Sequence, residues 1–194
     1  MLIPGPARKA YDEGMELLKK SPAESIPRFR RAIELYPKFP EAYAMLGLAY
    51  MLEKNSKEAQ TALQKAIELN PRYPTPQLLL GKLYFEQREF AKAEKRLQEA
   101  MRLDPQSWDA PYELARCDFN LGKLDLALEF ARRAQGLPQA SPRVHLLLAD
   151  IFLRRNEPQN ALAELEEFAR REPNSPLIER VRAKIAELKQ GSRP

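Results

Sequence analysis

The chain holds one cysteine, one histidine and one tryptophan, and these scarcities exclude several classes at once. A lone Cys117 closes no internal disulfide, so a fold stapled by bridges is ruled out. His145 and Cys117 sit on different segments and read as packing residues, which leaves neither a nucleophilic dyad nor a metal-binding set. Glycine is sparse too, and the pairs Gly81-Lys82 and Gly122-Lys123 lack the preceding glycine and the following Ser or Thr of a phosphate-binding loop. No run approaches the roughly 20 consecutive apolar residues of a membrane helix. The N-terminus MLIPGPARKAYDEG has no long apolar core of a signal peptide. The reading is therefore of a chain without catalytic, cofactor or metal residues.

Neither sign of charge dominates. The 32 basic residues are interleaved with 27 acidic ones, net +5, and form no block that would lie along a phosphate backbone. A nucleic-acid partner is not expected, and clusters such as ELEE, residues 164 to 167, read as solvated surface.

What the sequence has in abundance is self-similarity. AIELYP at 32 to 37, AIELNP at 66 to 71 and AMRLDP at 100 to 105 are near copies, and Ala32, Ala66, Ala100 and Ala134 are each 34 residues apart. A period of that length marks stacked supersecondary units in place of one globular core. Each period divides into two amphipathic halves, as in PEAYAMLGLAYMLEK followed by SKEAQTALQKAIELNP, with apolar residues three and four apart. That pattern predicts a helical hairpin. Ser56 is expected to cap the second helix, Asn70 and Pro71 to end it, and Ser141 and Ser175 to cap the helices that follow them. Pro40, Pro142 and Pro176 fit a first helical turn, whereas Pro27 predicts a kink or a late start.

These residues resemble the tetratricopeptide repeat family, whose pattern is W-x2-L-G-x2-Y, then A-x3-F, then P. Tyr43, Leu46, Gly47, Tyr50, Ala59, Leu63, Ala66 and Pro71 carry the likeness in one period, and Leu80, Gly81, Tyr84, Ala93, Leu97, Ala100 and Pro105 in the next. The resemblance implies an all-α, right-handed superhelical solenoid of five hairpins. The expected boundaries are an N-terminal extension or linker at 1–5, a divergent repeat at 6–39, repeats at 40–73 and 74–107, a degenerate repeat at 108–141 with Asp118 in the tyrosine position, and a fifth repeat at 142–175. A capping helix is expected at 176–190 and a tail at 191–194.

The first helices are apolar nearly all round: residues 42 to 52, AYAMLGLAYML, contain no charge. One stripe serves hairpin packing; a second, turned away from it, has no such need. In the family this second stripe lines a concave groove that holds peptides or helices of partners. Carried over by position, it gives Tyr11 and Met15, then Ala44, Leu48 and Met51, then Leu78, Lys82 and Phe85, then Tyr112, Arg116 and Phe119, then Leu146, Asp150 and Leu153. The middle of the groove, from Leu78 to Phe119, is the expected hot spot, with an acidic partner residue facing Lys82 and Arg116. The carboxylate clamp of chaperone adaptors is missing, since Tyr11, Met15, Met45, Thr75 and Leu79 stand in its place. Chaperone C-terminal tails are thus not expected as ligands.

The functional expectation is a non-enzymatic scaffold or adaptor that binds an apolar or amphipathic segment of a partner protein, as monomer or weak dimer. The alternatives are a regulatory or targeting module of a larger enzyme or envelope-assembly protein, and a self-associating structural module. The compartment is cytoplasmic by default, or extracytoplasmic if a signal or domain has been removed before Met1.

Overall fold

The computed structural model describes residues 3–191, all of whose regular structure is helical. It forms two compact units, Met1–Asp104 and Pro105–Pro194. The first contains α1 (Gly5–Leu18), α2 (Pro22–Leu35), α3 (Pro40–Leu52), α4 (Ser56–Leu69), α5 (Pro74–Glu86) and α6 (Phe90–Leu103). The second contains α7 (Asp109–Asn120), α8 (Leu124–Gln135), α9 (Arg143–Arg154), α10 (Pro158–Arg171) and α11 (Ile178–Gly191). Helices pair in chain order, α1 with α2 through α9 with α10, and α11 lies on α10. Within the first unit α3 also touches α1 and α5, and within the second α7 touches α9.

Small side chains make the pairing close. Ser25, Ala59, Ala93, Ala127 and Ala161 recur at one position of the second helices and are all fully buried. Ser25 is tolerated there because its hydroxyl donates to the Pro22 carbonyl at 2.7 Å. Opposite this column stand Gly47, Gly81, Ala115 and Ala149 on the first helices. A Cβ on Gly81 would lie 2.6 Å from Cγ and Cδ2 of Leu97, so glycine is what lets the two helices meet. Where Ala115 replaces glycine, the residue at Leu97's position is the smaller Ala131.

Every turn between the paired helices from α3 onward is built alike. Lys54, Arg88, Gly122 and Asn156, again 34 apart, take left-handed backbone conformations with φ of 60°, 62°, 75° and 61°. One residue later, the N–H of Asn55, Glu89, Lys123 or Glu157 donates back to the carbonyl of Tyr50, Tyr84, Asp118 or Phe152 at 2.8 to 2.9 Å. This closure satisfies carbonyls that the helix end would otherwise leave open. Only Gly122 and Asn156 advertise such a turn in the sequence.

Several local expectations need correction. Ser56 is the first helical residue, Asn55 takes the capping place, and no side-chain cap bond forms there. The stretch Pro4-Gly5-Pro6 is not a linker: Gly5 and Pro6 open α1, where a missing N–H costs nothing. α2 starts at Pro22 and runs through Pro27 without the late start expected. Pro142 immediately precedes α9, and α11 begins at Ile178, two residues after Pro176. The hydroxyls of Ser141 and Ser175 accept from the N–H of Arg143 and Leu177 at 3.3 Å, so they brace these entries from one turn upstream. The expected tail residues 192–194 lie outside the described residues.

Glu164 of the ELEE cluster is not solvated; it is 7 % exposed. Its carboxylate takes Arg132 Nη1 at 2.6 Å and Gln135 Nε2 at 3.1 Å, a buried charge retained because it is paired. Helical period alone could not separate it from its exposed neighbours, as its partners lie on α8 and α9.

Candidate functional site

On α9, Arg143, Leu146, Asp150 and Leu153 follow one another at intervals of three, four and three residues, which sets them on a single helical face. Tyr112, Arg116 and Phe119 do the same on α7. The opposite sides of these helices are committed to packing: Leu114, Ala115 and Cys117 on α7 and Leu148, Ala149 and Ile151 on α9 are essentially inaccessible.

The two faces meet in the second unit. A cavity of about 360 Å³ is lined by Tyr112, Arg116, Phe119 and Asn120 of α7, by Arg143, Leu146, Leu147 and Asp150 of α9, and by Leu177. A second, of about 370 Å³, lies beside it and is lined by Leu146, Asp150, Leu153 and Leu165 together with Leu177, Arg180, Val181 and Lys184. Leu146, Asp150 and Leu177 border both.

The rings are held in place. Tyr112 stacks edge-on against Trp108 at 5.6 Å between centroids, and the Arg154 guanidinium lies 4.5 Å from the centre of Phe119 while donating to its carbonyl at 2.9 Å. Arg116 is pinned by Glu113, Nη1 to Oε2 at 2.7 Å, and lies over Tyr112. Its charge is thus already answered by a carboxylate on its own helix, which weakens the expectation that it awaits an acidic partner. Burial raises the pKa of the Tyr112 hydroxyl, so it is a neutral donor and acceptor. Asp150 is open to solvent over more than a third of its surface, yet the protein crowding around its carboxyl raises its pKa.

The first unit treats its candidates differently. Tyr11 packs between Phe29 and Phe39, at 5.8 and 5.0 Å. Ala44 is fully buried and presents no surface. Met15 is 37 % exposed, and Leu48, Met51, Leu78, Lys82 and Phe85 are half-buried. Phe85 meets Phe90 edge-on at 5.7 Å, so part of its ring is already spent inside its own hairpin.

Arg180 and Lys184, which the sequence reading missed as lining residues, stand 34 residues after Leu146 and Asp150. The same step identifies them: α11 continues the register of the first helices, and the period could have been carried one unit further.

Models of the tetratricopeptide repeat match residues 7–83 and 53–100, residues 78–143 and residues 143–175. No curated protein matches the chain. Among solved structures, the chain is similar to PilF of Pseudomonas aeruginosa, 21% identical with TM-score 0.81 over 96% of this chain and 90% of that one. It is similar also to a thermophilic TPR protein of Thermus thermophilus, 20% identical with TM-score 0.77 over 95% and 99%. A third similar structure is YrrB, described as a TPR protein with an unusual peptide-binding site, 19% identical with TM-score 0.66 over 91% and 92%. At these identities the likeness is one of fold. With the repeat models running from residue 7 to residue 175 and the paired helices recurring every 34 residues, the chain belongs to the tetratricopeptide repeat family.

Proposed function

We propose that the chain is a non-enzymatic scaffold that holds an apolar or amphipathic segment of a partner protein on the inner faces of its first helices. The observation that carries this reading is the adjoining cavity pair on α7, α9 and α11, in which rigid aromatic and leucine side chains alternate with a few polar groups. Such a mixture, apolar walls with sparse convergent polar atoms, is the composition of recognition sites. The similarity to a repeat protein with a peptide-binding site agrees with it. Among the described residues no helix is long and apolar enough to cross a membrane, and no group of side chains could hold a metal ion.

Panning the full chain with displayed 12-residue random peptides tests the proposal. Enriched peptides are expected to carry large apolar residues. They should bind Phe119→Ala about ten- to a hundredfold more weakly, the consequence of losing roughly 1.5 to 3 kcal/mol of burial, and Leu146→Glu more weakly still. If binding survives both changes and is lost instead with Lys65→Ala or Arg96→Ala on the second helices, the inner-face reading fails.

A further inference from the structure

Asp150 borders both cavities of the second unit, and the charged groups that could neutralise it are occupied or distant. On α7, Arg116 is held by Glu113 at 2.7 Å. On α11, Lys184 Nζ reaches Glu187 Oε1 at 2.7 Å. Arg143 is seven residues earlier on the same helix, about 10 Å along the axis at 1.5 Å per residue, and Arg180 stands a turn before Lys184. None of these bases offsets the crowding that raises the Asp150 pKa, for which desolvation alone is responsible. The walls on either side of the carboxylate are Leu146, Leu153, Leu165 and Leu177.

We infer that Asp150 is the specificity-determining residue of this surface and that it selects a partner segment inserting a lysine or arginine side chain between apolar anchors. The inference rests on the reading of the inner face as the docking site. A long basic side chain suits the place in two ways. Its methylene stem covers the leucines, and its head makes a charge-assisted hydrogen bond to a carboxylate half removed from water, where such a bond is stronger than on an open surface. An acidic residue brought to the same point would meet a like charge in crowded surroundings. The exposed bases at the rim, Arg143 and Arg180, then meet acidic or polar residues further along the segment, so the expected sequence is apolar around one central base and not uniformly basic.

The test is an array of leucine-anchored 12-residue peptides in which Lys, norleucine or Glu occupies each position in turn, read by fluorescence anisotropy against the full chain. At one position Lys should bind roughly five- to tenfold more tightly than norleucine, with the advantage falling at high salt. Asp150→Asn should abolish the advantage and Asp150→Lys should transfer it to Glu, with unchanged thermal unfolding in both. Peptides that bind, lose binding with Leu146→Glu, and show no preference for Lys in the wild type would overturn the assignment of Asp150 while leaving the docking site intact. Binding indifferent to Leu146→Glu would remove the docking site and the assignment together.

Discussion

His145 Nδ1 lies 2.6 Å from Glu164 Oε2, across the interface of α9 and α10, with both residues buried. Gln77 and Arg96 occupy the equivalent positions of the third hairpin and also touch, at 3.3 Å, whereas the second hairpin has Tyr43 and Ala62 there. The same pair of sites is therefore polar in some hairpins and apolar in others, and what matters is that the two sides agree.

Glu164→Ala should destabilise the second unit by about 2 to 3 kcal/mol, because it strands His145 and Gln135 without their acceptor. The double change His145→Tyr with Glu164→Ala, which copies the second hairpin, should recover at least half of that loss. Chemical denaturation of both variants checks this, and equal destabilisation would mean that the network is not what fixes the contact.

Gly81→Ala puts a methyl group 2.6 Å from Leu97, which is fully buried and has nowhere to move. A cost of about 1 to 3 kcal/mol is expected, despite the roughly 1 kcal/mol that alanine gains over glycine in a helix. Adding Leu97→Ala reproduces the Ala115 and Ala131 pairing, so the double variant should be less destabilised than the sum of the single ones.

At the turns the sign reverses. Arg88 holds a left-handed conformation that costs a non-glycine residue about 1 kcal/mol or more, and Arg88→Gly should raise stability by about 0.5 kcal/mol once the added freedom of the unfolded chain is subtracted. Gly122→Ala should lower it by about 1 kcal/mol. Thermal melts of the two variants that shift in the same direction would contradict the turn geometry.

Asp150 gives a pH signature. Because its folded carboxyl pKa is raised, the folded state is penalised where the group is charged, and the penalty is relieved as pH falls through the folded value. Asp150→Asn should therefore melt slightly above wild type near neutral pH, with the difference vanishing on acidification. Carboxyl NMR titration of Asp150 should give a midpoint above that of an ordinary aspartate.

Deleting residues 176 to 194 removes Ile178 and Val181, both buried against the second unit, and the partly buried Leu177, Ile185 and Leu188. Phe168, Leu165 and the α9 leucines would then face water. Aggregation or a clearly lowered melting point is expected, and a truncated chain with unaltered melting would show that α11 contributes nothing to the fold.

The helices were legible because they depend on local period: the alanines at 32, 66, 100 and 134 and the apolar spacings mark them without tertiary information. What escaped notice needed a neighbour in space. Nothing in the string ELEE singles out Glu164, whose environment is made by Arg132 and His145. Arg88 carries no mark of a left-handed turn. Ala44 and Leu48 lie on the same expected stripe, yet one is sealed and the other half open, a distinction set by the helices alongside. The inner-face residues of the second unit were named, but the emphasis on Arg116 as a waiting charge overlooked Glu113 three residues before it.

Within each unit, every helix touches only the helix before or after it in the chain, or the next but one. Contacts this short in sequence close cheaply and form early, so each hairpin can assemble from its own length of chain before its neighbours exist. The reverse passage is equally local. Hydrogen exchange should find α11 and α1 opening without the hairpins beside them, and a partner that bridges α7, α9 and α11 would slow exchange on all three at once, acting as a clasp on the segment of the molecule most prone to come undone.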